Sequence, residues 1–108
     1  MAQTKLDAIA NISSSQTDAT VVAAVSGKSI RVVQVAMVTS SVATDITFNT
    51  KGSSAGTAIS PLFANGINGG AVLNYNYEGW FSTNPGEALT VTTGAGSTTG
   101  ILVGYVTI

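Results

Sequence analysis

Two segments of this chain, residues 30–38 and 101–108, are apolar on both sides of a strand, and no segment has the pattern of a helix that could cover the spare side. Under strict alternation, Ile30, Val32, Ala36 and Val38 fall on one face of the first segment, and Val33, Val35 and Met37 on the other. A strand of a lone sandwich is apolar inward and polar outward, so a strand apolar on both faces needs two covers. With no helix to supply the second, the expected cover is another protein chain. The sequence therefore reads as a component of an assembly.

Composition sharpens this reading. The 108 residues make one domain. Surface scaling gives a folded area of roughly 5,500 Å², with about 65% of the unfolded chain's surface buried, so a core is feasible without disulfides or metal. Charged residues make up 8% of the chain, against about 25% in an average domain. Ser, Thr, Asn and Gly take the polar positions instead. The net charge is −1, and Lys5, Lys28, Arg31 and Lys51 are scattered, so no field draws in nucleic acid or an anionic membrane. A surface so poor in charge associates readily.

Cys and His are both absent. That removes disulfides, the commonest general base and the commonest metal ligand, and no cofactor, metal or small-molecule substrate is expected. Residues 1–12 carry no apolar run of the signal-peptide kind. No apolar stretch approaches the about 20 residues that span a bilayer.

Along the chain, residues 1–17 read as an N-terminal arm or a short first strand, with Leu6, Ala8, Ala10 and Ile12 alternating. Residues 18–108 read as a single jelly-roll-like sandwich. Its strands are expected at 18–25, 29–39, 42–49, 57–63, 71–75, 77–82, 88–93 and 101–108, from β-branched runs bounded by Gly, Ser, Asn and Pro. Val42, Ile46 and Phe48 share one face of their strand, and Pro61 marks an edge. Ser40 and Ser41 mark a kink or bulge. Asn84-Pro85-Gly86-Glu87 has the residues of a type II turn. About eight strands with turn signals every 8–12 residues predict an all-β fold, one antiparallel sandwich.

The short motifs give no chemistry. Gly27-Lys28-Ser29 ends like a phosphate loop, but Val22 stands where the first Gly belongs and a strand follows, so a hairpin turn is expected. Gly94-Ala95-Gly96 with Gly100 has its third Gly one position late and also precedes a strand, so it too reads as a turn. Asn11-Ile12-Ser13 matches a glycosylation sequon by chance. The five carboxylates, Asp7, Asp18, Asp45, Glu78 and Glu87, lack the spacing of a calcium loop. Two of them meeting in space would form a glycosidase-like dyad; the plain alternative is solvated rim charge.

Tyr75, Tyr77, Trp80 and Phe81 form the richest local cluster. Aromatic residues dominate cores, and they also anchor interfaces and stack on sugars. On a regular strand Tyr77 and Phe81 would share one side with Trp80 opposite. Arg31, among apolar neighbours, either pairs with a carboxylate across a subunit interface or extends its head to solvent. Arg31, Val33, Val35 and Met37 on one segment, Tyr77 and Trp80 in the aromatic cluster, and Val103 and Tyr105 on the last strand are the candidate subunit or shell contacts.

The stretch from Glu78-Gly79-Trp80-Phe81 through Asn84-Pro85-Gly86-Glu87-Ala88-Leu89-Thr90-Val91 to Ile101-Leu102-Val103-Gly104-Tyr105-Val106 resembles the C-terminal half of small structural proteins of tailed phages, among them capsid decoration, or cement, proteins. The resemblance covers about the last half of the chain and is structural, not catalytic. It implies a jelly-roll-like fold, a homotrimer seated at threefold positions of the shell, and the major capsid protein as partner. It also implies a place on the outer surface of the virion after synthesis in the host cytoplasm. The expectation is a non-enzymatic protein that ties capsid subunits together. The alternative is a tail-associated or receptor-binding jelly roll that stacks surface glycans on Tyr77 and Trp80.

Overall fold

The computed structural model describes residues 4–94 and 99–108. These residues contain strands β1 (Leu6–Ile12), β2 (Gln16–Val22), β3 (Ile30–Thr39), β4 (Thr44–Lys51), β5 (Thr57–Ala58), β6 (Phe63–Asn65), β7 (Gly70–Leu73), β8 (Phe81–Ser82), β9 (Ala88–Thr93) and β10 (Thr99–Thr107). A front sheet has the order β1-β10-β3-β7, with β8 also on β3; a back sheet has the order β2-β9-β4-β5, with β6 also on β4. Every pairing is antiparallel. The chain is thus an antiparallel β-sandwich, as its turn spacing predicts, with ten strands in place of about eight.

The extra strands are interruptions. The run at 57–63 breaks at Pro61, which cannot donate to a ladder, into β5 and β6, both on β4. The runs at 71–75 and 77–82 shrink to β7 and β8, both on β3. Counted as interrupted strands, each sheet has four members, and the long strands β1 to β4 alternate between sheets in jelly-roll fashion. Residues before 18 belong to the sandwich: β1 pairs along its whole length with β10, and β2 already begins at Gln16.

Three turn readings have defined outcomes. Glu87 N–H donates to Asn84 O at 3.1 Å and Gly86 has φ +77, the geometry of a type II turn. Lys28 N–H donates to Val25 O at 3.0 Å with Gly27 at φ +71. That turn is tight, but it carries the chain from the back sheet to the front sheet and is not a hairpin. The Gly94-Ala95-Gly96 loop falls partly on residues 95–98, outside the described residues. Its flanking strands β9 and β10 lie in different sheets, so this connection also crosses.

The main correction concerns β3. Its register with β10 runs Thr39↔Thr99 to Gln34↔Gly104, then slips by one, so that Val32 faces Tyr105. One extra residue in β3, at Val33, switches which residues point inward. Ile30 and Val32 before the bulge and Val35 and Met37 after it all enter the same core, despite opposite parity. At Ser40–Ser41 the chain bends after the end of the strand, a kink, while the bulge lies inside the strand. Val33 is fully buried and Val106 nearly so, both outside the main core cluster.

The core fills from both sheets. Phe48 is buried between Phe81, with ring centroids 5.2 Å apart, and Phe63, edge-on at 6.3 Å. Ile46, Leu89, Val91, Ile101 and Val103 complete it. Val42 lies outside β4 and is exposed, so it does not share the face of Ile46 and Phe48. The surface exposed by the single chain is 5452 Å², the area expected for a normally packed domain of this mass. The interior is therefore closed within one chain, and any unmet need for cover is local.

Candidate functional site

Register places the uncovered apolar surface on the outer face of the front sheet. One cross-strand row runs Ile9–Leu102–Ala36–Val72 over β1, β10, β3 and β7. Two positions further on, a second row runs Asn11–Gly100–Val38–Gly70. Between them Ala10, Ile101, Met37 and Ala71 point inward to the core, as strand alternation requires. Ile9 is 75% exposed, Val72 68%, Val38 60% and Leu102 41%. Together they leave an apolar patch on the order of a few hundred Å², the scale that marks an interaction site on a monomer.

The patch is concave. Because Ala36 and Gly100 are small, the larger side chains around them frame an open hollow of about 380 Å³. A small-molecule site needs convergent polar groups to orient its ligand. Here Asn11 supplies the only polar side chain of the lining. The hollow suits an apolar protrusion of a protein better than a polar substrate.

The outer face of the back sheet is the opposite in character. Thr47 pairs with Thr92 and Asn49 with Thr90, where the front sheet has Leu102 and Ala36. Asp18 joins them: its carboxylate accepts from Gly56 N–H at 3.0 Å, Asn49 Nδ2 at 3.1 Å and Thr90 Oγ1 at 3.1 Å. The Gly56 amide, helped by Thr90, Asn49 and nearby Lys51, holds the Asp18 pKa below its ordinary value, against a smaller opposing effect of burial. The sandwich has a hydrogen-bonded side and a bare apolar side.

The residues expected to make contacts are divided by this geometry. Val33, Val35 and Val103 are fully buried and Met37 is 2% exposed, all inside their own chain. Tyr105 is half-buried and packs on the core. Arg31, Tyr77 and Trp80 do reach the surface, and Arg31 and Tyr77 come together. The Arg31 guanidinium lies 5.7 Å from the centroid of the Tyr77 ring, and its Nη1 donates to Tyr77 O at 3.3 Å. Within its own chain the Arg31 head is held by the Tyr77 ring and carbonyl and does not extend freely into solvent. Of the aromatic cluster only Phe81 enters the core, because residues 74–80 are a loop, and the sidedness of a regular strand applies to neither Tyr77 nor Trp80.

Sequence reasoning missed Ile9 and Val72. Both are single outward residues on short strands, and only the partner register shows that they adjoin Leu102 and Ala36. The isolated Ile9 between Asp7 and Asn11, out of phase with Ala8 and Ala10, was the available signal. Comparison with protein-family models, curated proteins and solved structures finds no match, so the reading of this surface rests on its own geometry.

Proposed function

We propose that the chain is a non-enzymatic structural protein of a virion, a homotrimeric capsid decoration protein that bridges neighbouring major capsid subunits. The observation that carries this reading is the apolar outer face of the front sheet, set against a polar back sheet in which Asn49, Thr90, Thr92 and Asp18 hydrogen-bond one another. A contiguous apolar face of this kind favours burial against another chain. Ala36, Val38 and Leu102 on β3 and β10 are the residues through which copies meet. The resemblance of residues 78–106 to phage decoration proteins supplies the assembly and its location; a jelly roll by itself hosts many functions.

Mechanistically, a protein that binds only the assembled shell stabilises it by mass action, without chemistry. The contacts are apolar, so salt screening has little to weaken. Three of the five carboxylates have structural partners: Asp18 is held by three donors, Glu87 accepts from Thr50 Oγ1 at 2.8 Å, and Asp7 pairs with Lys5 on the surface.

The test is binding to purified shells assembled from the capsid protein encoded with this chain. Saturable binding is expected, at a copy number comparable to that of the shell subunit, with a raised shell disruption temperature and no release in concentrated NaCl. No binding, or only a few copies per particle, overturns the proposal.

A further inference from the structure

A second exposed surface, at the other end of β3, has different chemistry. Residues 74–80 read Asn-Tyr-Asn-Tyr-Glu-Gly-Trp. Tyr75 is 53% exposed, Trp80 46% and Tyr77 37%, yet the loop that carries them is firmly tied. Asn76 N–H donates to Val33 O at 2.8 Å and Trp80 N–H to Val32 O at 2.8 Å, so both ends are fastened along the β3 bulge. Gly79 N–H closes the turn on Asn76 O, and the Asn76 side chain accepts from Glu78 N–H. Gly79 has φ +89 and lies so close to the Arg31 stem that a Cβ there would be 2.5 Å from Arg31 Cγ.

The rings are tied as well. Trp80 Nε1–H donates to Asn74 O at 2.8 Å, and Arg31 holds Tyr77. The neighbouring Asn74 side chain, Glu78 carboxylate and Tyr75 hydroxyl have no hydrogen-bond partner among the described residues and stand in solvent.

We infer that residues 74–80 form a carbohydrate-binding platform, with Trp80 and Tyr75 stacking on the C–H face of a pyranose and Asn74, Glu78 and Arg31 hydrogen-bonding its hydroxyls. A sugar ring presents an apolar face with polar groups around its edge, and exposed aromatic rings on a fastened loop, interleaved with amides and a carboxylate, match that pattern. Fixing the loop backbone and the Trp80 ring beforehand removes part of the ordering cost that weakens binding to mobile loops. The hollow near Val38 lacks these hydrogen-bonding groups and fits a protein. The platform lies roughly 20 Å away along β3, by the rise per strand residue, so a sugar can be engaged while another copy covers the Val38 face. This site is additional to the decoration role and does not depend on it.

Trp80 is the chain's only tryptophan, so its emission reports the site directly. The experiment screens the intact chain on an array of bacterial surface oligosaccharides and titrates each hit while following Trp80 fluorescence. The expected result is binding with a change in emission. Trp80→Ala and Tyr75→Ala should each weaken array binding by about tenfold or more, a loss on the order of 1.4 kcal/mol. Trp80→Phe should recover part of it, and Gly66→Ala, where an added Cβ meets nothing within 4 Å, should leave it unchanged. Tyr75 is exposed and outside the core, so its removal tests the site even if Trp80→Ala fails to fold. No hit on the array overturns the inference, as does binding that survives both Ala variants. An emission change that follows protein concentration without sugar overturns it too and marks the loop as a subunit contact.

Discussion

Asp18 sits where β2 slips register against β9, with φ 55, a left-handed backbone that Asp tolerates better than most residues. The same placement brings its carboxylate to Gly56, Asn49 and Thr90, where it fastens residues 52–56 to the back sheet. Gly56 is required: a Cβ there would be 2.2 Å from Asp18 Oδ1. Asp18→Ala should cost about 1–3 kcal/mol, since each hydrogen bond to a charged group contributes on that order and the site is partly solvated. Asp18→Asn should cost less, because Asn keeps the backbone conformation and one acceptor. The folded-state pKa is lowered, so the charge stabilises the fold fully above the unfolded value of about 3.9, and this contribution disappears as pH falls below that through the folded pKa. Urea unfolding at pH 7 and pH 3 checks both points: Asp18→Asn should narrow the gap between the two stabilities.

At the scale of elements, β3 decides how the sheets present their faces. Its bulge at Val33 lets Ile30, Val32, Val35 and Met37 all turn inward, leaving Ala36 and Val38 outward. Beside it, β7 approaches closely: a Cβ on Gly70 would be 1.8 Å from Met37 O. Gly70→Ala should therefore force β7 away from β3 and destabilise the chain by about 1–3 kcal/mol, the usual cost of overpacking. Gly66→Ala, with nothing within 4 Å, should stay within about 0.5 kcal/mol as the control. Denaturation midpoints of the two variants decide this.

The same strand shows what sequence can and cannot convey. Hydrophobic runs and turn residues were enough for the β-sandwich, the edge position of the run containing Pro61 and the type II turn at Asn84–Glu87. A bulge leaves no mark on composition: Ile-Arg-Val-Val-Gln-Val alternates equally well in either phase, and only pairing with β10 selects the phase. Hence Val33, Val35, Met37 and Val103 read as spare surface although they are interior, while Ile9 and Val72 passed unnoticed. Tyr77 and Trp80 were legible as surface residues because their run, residues 74–80, has few apolar neighbours to hide among, and Arg31 because a charge inside an apolar strand must reach the surface.

For the whole molecule, the asymmetry between its two outer faces is the central feature. A low charge content is harmless on the back sheet, where Thr, Asn and Asp18 satisfy one another, and consequential on the front sheet, where Ile9, Leu102, Val38 and Val72 meet only water. The account holds that another copy covers that face. Sedimentation equilibrium at micromolar concentration on the wild-type chain, Val38→Asp and Val35→Asp tests this most directly, because a carboxylate in a desolvated contact costs several kcal/mol. The wild type should sediment as a trimer, Val38→Asp as a folded monomer, and Val35→Asp, with its charge in the core, should not fold. A wild-type chain that sediments as a monomer, or a Val38→Asp chain that remains trimeric, would contradict the account.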